Sequence, residues 1–563
     1  MTLPLLRAVL TLAAIGSVCL RPLDAQAPRD ITIRVDASRD IGELRPVWRF
    51  FGADEPNYAY MKDGRRLLAE LGELRPHDVY FRAHNLLTSG DGTPALKWGS
   101  TNAYTEDAAG HPIYDWTIVD RIFDTYLARG VRPYVEIGFM PKALSTRPEP
   151  YEHEWRPGSG ELYTGWAYPP NDYGKWGELV FQLTKHCIAK YGIAEVRGWY
   201  WETWNEPNIG YWKGSREEFF KLHDVTLAAV RRALPDAHVV GPHMAGSDAK
   251  WLTAYFDHVF SGSAAAGQPT PQKPNFLSFH PKGSPTTVDG HVRMGIATQL
   301  QVTDRNFATI ASNPEAKKLP IILGESDPEG CAACQGAALA YRNGTMYSSY
   351  TAASMARIED LAIKHGLTLE GALTWAFEFE DHAYFPGFRV LASNGIDHPV
   401  LNVFRMMSRM PGRRLQVEST GALSLDEIVA HGVRGEADVS ATASRGENRI
   451  AVLAWHYHDD DVAGPTANVH LVIDKLPPIV ASVTVTHYRI DDEHSNAFAA
   501  WKRMGSPVAP NNAQYAALKA AGGLAELVPV SRAAVASGAV VLNFPLPRQG
   551  VSLVILDWSA VRP

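Results

Sequence analysis

Two glutamates that close apolar strands are the residues best placed to do chemistry. The run from 199 to 208 reads Trp-Tyr-Trp-Glu-Thr-Trp-Asn-Glu-Pro-Asn. Its aromatic first half suits a buried strand, and Pro207, lacking an N–H, stops the ladder. Glu206 therefore stands where a strand becomes a loop, and desolvation by neighbouring indoles would favour its neutral form, as a general acid requires. Asn205, one residue earlier, is positioned to hydrogen-bond a substrate hydroxyl. The second acid, Glu325, ends Leu319-Pro320-Ile321-Ile322-Leu323-Gly324-Glu325, where the glycine lets a substrate or another backbone come close. Paired carboxylates of this kind serve a retaining glycosidase if they stand ~5–5.5 Å apart, one attacking the anomeric carbon and the other protonating the leaving oxygen. Glu325 is then the nucleophile and Glu206 the acid/base. Each alone also has a plainer reading, as a solvated loop glutamate or a salt-bridged rim carboxylate.

Elements must bring these acids together, and short apolar strands alternating with amphipathic segments predict βα units around a parallel sheet. Eight strands are expected, at 47–53, 78–83, 132–138, 198–204, 238–242, 275–280, 320–325 and 371–377. That makes a (β/α)8 barrel over residues 42–410. Between the second and third strands, Trp116, Val119, Phe123 and Leu127 mark one buried helical face, ended by Gly130. Because the βα loops of such a barrel converge on one mouth, the strand ends nominate Asp54, Arg82, His84, Glu136, Asn205, Glu206, His280, Lys282, Glu325, Glu378 and Asp381. Strands four and seven face each other across that mouth, so Glu206 and Glu325 can meet.

Beyond 410 the pattern changes to short alternating strands at 448–456, 467–473, 482–487, 538–543 and 551–556, with a helical piece within 512–527. This predicts a C-terminal β-sandwich over 411–563, with an early strand at 31–35, within residues 28–41, pairing to it. Residues 1–27 have the form of a secretory signal: Arg7, an apolar stretch from Ala8 to Leu20, and Ala25-Gln26-Ala27 at the end. The chain is therefore expected to be exported, to the periplasm or outside the cell. No later segment is long enough for a membrane span.

The 563 residues, 45% hydrophobic and 20% charged, describe a globular protein. A net charge of −7 without a basic stripe argues against nucleic acid as a partner. Of four cysteines, Cys19 falls in the leader. Cys187 lies on a helical stripe and reads as core, and Cys331 and Cys334 are spaced for a short loop disulfide. A zinc site would need ligands that this neighbourhood lacks. Neither a metal nor a cofactor is expected.

The sequence resembles glycoside hydrolase family 39, which contains β-xylosidases and the animal α-L-iduronidases. The resemblance is carried by Glu202-Thr203-Trp204-Asn205-Glu206-Pro207, Phe279-His280-Pro281-Lys282-Gly283, Gly324-Glu325-Ser326-Asp327-Pro328, and His487-Tyr488-Arg489-Ile490-Asp491 with Trp501-Lys502-Arg503-Met504-Gly505. It implies a retaining mechanism on Glu206 and Glu325, an oligo- or polysaccharide substrate, and sugar-hydroxyl contacts from His84, Asn205 and His280. His280-Pro281-Lys282-Gly283 looks like the iduronidase segment in which a lysine meets the uronic carboxylate, with Arg389 as a possible second cation. The alternative for Lys282 is a salt bridge to Asp381 or another rim acid. A β-xylosidase is the first expectation and a uronide hydrolase the second. A glycan-binding barrel without catalysis is the reading from another class.

Overall fold

A computed structural model describes residues 28–156, 162–261 and 269–559. The expected leader lies outside them. The barrel strands run Phe50–Ala53, Val79–Ala83, Val131–Glu136, Tyr200–Glu202, His238–Ala245, Phe276–His280, Ile321–Leu323, and a last strand in two pieces, Leu369–Ala372 and Thr374–Trp375. Every neighbouring pair is parallel. The first piece of the last strand pairs with the seventh strand and the second with the first strand, so the sheet closes into the expected (β/α)8 barrel. A helix follows each strand, among them Thr117–Leu127, Tyr173–Tyr191, Arg216–Ala233 and Thr345–His365.

The two-residue period of a strand decides what reaches the barrel lumen. Phe50, Tyr80, Tyr134 and Tyr200 meet there in one aromatic layer, in an apolar cluster that also holds Leu373 and Trp375. Two residues further along the second, third and fourth strands come Arg82, Glu136 and Glu202, which therefore form a charged layer above the aromatic one. The intervening positions face the helices, so Trp199 packs on Phe123 and Tyr191; Trp204, past the end of the strand, packs on Phe139, Trp176 and Trp212.

The second unit is one sheet of nine strands. Its order is Ala525–Ala534, Ser482–Ile490, Val551–Asp557, Arg449–Tyr457, Asp438–Arg445, Arg413–Ser419, Arg29–Glu43, Ala467–Asp474 and Val540–Leu546. The sheet curls over its own apolar face. His487 and Phe544, on strands far apart in that order, bring their rings to 4.6 Å, and Ile33, Val452, Val485 and Phe544 share one core. The sandwich is thus a single folded sheet. Its strands at 413–419, 438–445 and 525–534 escaped the sequence reading, and the helix Asn512–Gly522 ends before the last of them. The first strand runs between Arg413–Ser419 and Ala467–Asp474.

Cys331 and Cys334 are disulfide-bonded. Cys187 is buried on its helix, where desolvation pushes its thiol pKa far up. Among the described residues no helix is long and apolar enough to cross a membrane.

Candidate active site

Glu206 follows the fourth strand in a left-handed conformation, φ 43°. Few non-glycine residues are held this way without surrounding support. The support is local: its N–H donates to the carbonyl of His243 at 3.0 Å, which ties the loop to the fifth strand. Glu325 leaves the seventh strand through Gly324. A Cβ on that glycine would stand 2.5 Å from His280 Nε2 and 2.8 Å from both His243 Nδ1 and Ser278 Oγ. The close approach allowed by glycine is therefore filled by side chains of the fifth and sixth strands, rather than by substrate or backbone.

His280 joins the two acids. Its Nδ1 is 3.0 Å from Glu206 Oε1 and 3.6 Å from Glu325 Oε1, and one oxygen of each acid and a ring nitrogen all lie within 4.8 Å of one another. These three groups could in principle hold a metal ion, but Lys282 Nζ and Arg82 sit against Glu325 and their charges oppose a second cation.

Burial on its own would push the pKa of Glu325 up. Lys282 first, then His280, Arg82 and His84, outweigh it and hold the carboxyl well below the ordinary range. Lys282 Nζ bonds Glu325 Oε2 and lies 3.2 Å from Asp327 Oδ2; its own pKa is raised because these two acids overcome its burial. The partners of Lys282 are therefore Glu325 and Asp327, and Asp381 is not among them. Asp381 sits exposed at the rim in a left-handed turn, its N–H donating to Asn394 Oδ1 at 3.1 Å. Arg389 also departs from expectation. It is fully buried behind Lys282, donating to the Trp375 carbonyl at 2.9 Å and to Glu329, with Nη2 3.7 Å from Asp327. There it lies against Asp327, one of the two acids that hold Lys282, and does not serve as a cation at the mouth.

Beneath Glu325 the charged layer is fully buried. Arg82 spans it, with Nε 2.8 Å from Glu202, Nη2 3.0 Å from Glu136 and 2.9 Å from Asn205 Oδ1, and Nη1 3.2 Å from Glu325. Burial works against the Glu202 carboxylate, yet Arg82 and His243 lower its pKa to about 2. Burial takes His243 down to about 4 against the pull of Glu202. His84 Nδ1 stands 2.5 Å from Glu136 Oε2, and the ring stacks obliquely on Trp375 at 4.4 Å. With Asn205 Oδ1 committed to Arg82, its buried Nδ2 is left without a partner, a donor free for a substrate hydroxyl.

The structure thus brings together Arg82, His84, Asn205, Glu206, His280, Lys282 and Glu325. Sequence reasoning did not assign Glu202, His243 or Asp327 to this group. Glu202 carried a legible signal, since an acid two residues after Tyr200 on a buried strand must point into the lumen. The indoles expected around Glu206 are instead spent on helix packing, because Trp199 and Trp201 alternate with the lumen-facing positions.

A family model for glycosyl hydrolases family 39 matches residues 31–540. The chain belongs to this family. It is a glycosidase, and its substrate is a carbohydrate. It is 26% identical over 503 residues to a β-xylosidase of Geobacillus stearothermophilus, covering 85% of this chain and 86% of the relative. It is 23% identical over 534 residues to the α-L-iduronidase of Mus musculus, covering 87% and 75%. The crystal structure of a monomeric β-xylosidase from Caulobacter crescentus superposes with a TM-score of 0.73 at 21% identity, covering 94% of this chain and all of that one. At that identity the likeness speaks for the fold.

Proposed function

We propose that this family 39 enzyme is an exported retaining glycosidase that releases xylose from β-D-xylosides. The observation that carries the mechanism is the pairing of Glu206 and Glu325, with carboxylate oxygens within 4.8 Å of one another, in the range of the retaining rather than the inverting arrangement. Glu325, kept ionised by Lys282, His280 and Arg82, attacks the anomeric carbon. Glu206 gives its proton to the leaving oxygen, then takes one from the water that frees the sugar from Glu325. Asn205 Nδ2 is available to a glycone hydroxyl during both steps.

For the glycone, two considerations support a xyloside. The Geobacillus β-xylosidase aligns with 85% of the chain. Around the lumen, Arg82, Lys282, Arg342 and Arg389 are set against Glu136, Glu202, Glu325, Asp327 and Glu329. A neutral glycone adds nothing to that excess of negative charge, whereas a uronide would. One observation favours a second reading: Lys282 Nζ touches the nucleophile itself, where a C5 carboxylate could compete for it. Hydrolysis of aryl β-D-xyloside compared with aryl α-L-iduronide decides between them, with the anomer first released followed by NMR. Xylose appearing first as the β anomer, with no turnover by Glu325→Ala, is the expected result. Turnover confined to the iduronide moves the assignment to the second reading, and net inversion removes the mechanism. Export is tested by the N-terminus of the mature protein, expected near residue 28.

A further inference from the structure

One polar pair at the mouth has no part in the chemistry just described. Asp54 follows the first strand and Lys97 lies in the loop after the second, and they are only 4% and 5% exposed. Asp54 Oδ1 accepts from Trp375 Nε1 at 3.1 Å, while Oδ2 is buried with no hydrogen bond. Lys97 Nζ stands 3.8 Å from that oxygen, too far to bond it, and rests 4.5 Å from the centre of the Trp98 ring. Among the described residues Lys97 Nζ finds no acceptor for a hydrogen bond. A donor at the tip of a buried side chain and a buried acceptor are thus held apart by slightly more than one hydrogen bond. A hydroxyl oxygen between them could accept from the ammonium and donate to the carboxylate, with both contacts of ordinary length.

The location suits a glycone. His84 Nε2 is 3.8 Å from Asp54 Oδ1 and 3.9 Å from Glu325 Oε1, so a single imidazole nitrogen separates this pair from the nucleophile. With its anomeric carbon at Glu325, a pyranose can extend its C3 or C4 hydroxyl to Asp54. Trp98, the ring beneath Lys97 Nζ, packs on Trp166 and Tyr211, and all three are buried.

We propose that Asp54 and Lys97 form a clamp for a hydroxyl on C3 or C4 of the glycone. This rests on the glycosidase assignment of the same site but not on the identity of the sugar. The test compares parent, 3-deoxy and 4-deoxy aryl glycosides, in whichever of the xylo or ido series the enzyme turns over, for wild type, Asp54→Asn and Lys97→Met. Wild type should lose about 10²-fold or more in kcat/KM on one of the two deoxy substrates. Each variant should lose comparably on the parent and almost nothing further on that deoxy substrate. The ratio of parent to deoxy rates is internal to each protein, so a partly unfolded variant leaves it unchanged. Should neither series be turned over, the xyloside and iduronide readings fail, and calorimetric binding of parent and deoxy methyl glycosides to Glu325→Gln supplies the same ratio without turnover. A penalty undiminished in both variants, or absent in wild type, overturns the clamp.

Discussion

The state of Glu325 is set by its neighbours, and Lys282 is the strongest of them. This changes what a lysine substitution can report. Lys282→Met removes the main group favouring the carboxylate, so the pKa of Glu325 rises and its ionised fraction in mild acid falls. We expect the acidic limb of kcat/KM against pH to move upward for any glycoside, with a larger loss at pH 5 than at pH 8, measured as full pH profiles. An acidic limb that stays in place would mean that Arg82 and His280 alone hold the charge. Lys282 therefore cannot separate a xyloside from a uronide site by its removal alone, and the substrate panel must do so. Asn205 shows the same dependence at smaller scale: Arg82 takes its carbonyl oxygen and by doing so aims the amide nitrogen.

At the level of elements, the site is a register property. Alternation along the second to fourth strands lifts Arg82, Glu136 and Glu202 one layer above the tyrosines, and the left-handed turn at Glu206 redirects the chain into the mouth. Gly324 is the point where three strands meet. Gly324→Ala places a methyl group against His280, His243 and Ser278, and the flexible option is for His280 to swing away from Glu206 and Glu325. A misplacement of that kind costs about 10²-fold in rate, so we expect kcat to fall by that order. The melting temperature should fall by only a few degrees. A variant with native kcat would show that His280 does not hold the acids in place.

For the whole molecule, the barrel and the curled sheet share a core rather than a linker. Leu453, Trp455, Tyr457, Leu553 and Ile555 of the sheet belong to the same apolar cluster as the barrel helices. Within that contact Arg357, on the helix Thr345–His365, pairs with Asp438 at 2.8 Å, and Trp455 Nε1 donates to the same carboxylate at 2.9 Å. Replacing Asp438 with Ala takes the shortest contacts from the Arg357 guanidinium, which keeps only Asp360 and the Leu423 carbonyl at 3.4 Å, and leaves the Trp455 indole N–H without its acceptor, a change worth about 2–3 kcal/mol. Calorimetric unfolding should show that loss, while kcat/KM at low temperature remains native because the site lies at the other end of the strands. Unaltered stability would mean that the interface is held by its apolar contacts alone.

The parts legible in the sequence were those governed by short-range rules. The hydrophobic periods of two and of about 3.6 residues gave eight barrel strands and their helices, the Asn205-Glu206-Pro207 and Gly324-Glu325 strand ends gave both acids, and the Cys331 and Cys334 spacing suggested their disulfide. Much of the second sheet was less legible, because strands such as Ala525–Ala534 are largely exposed at an edge and carry little apolar alternation. Tertiary structure alone decided the partners of the charges. Lys282 belongs to Glu325 and Asp327 instead of Asp381, Arg389 is a buried brace instead of a cation at the mouth, and Asp54 meets Lys97 across two loops. Periodicity fixes which face a residue takes, but the choice among many nearby opposite charges is made only when closure of the barrel sets their distances and strips away the water between them.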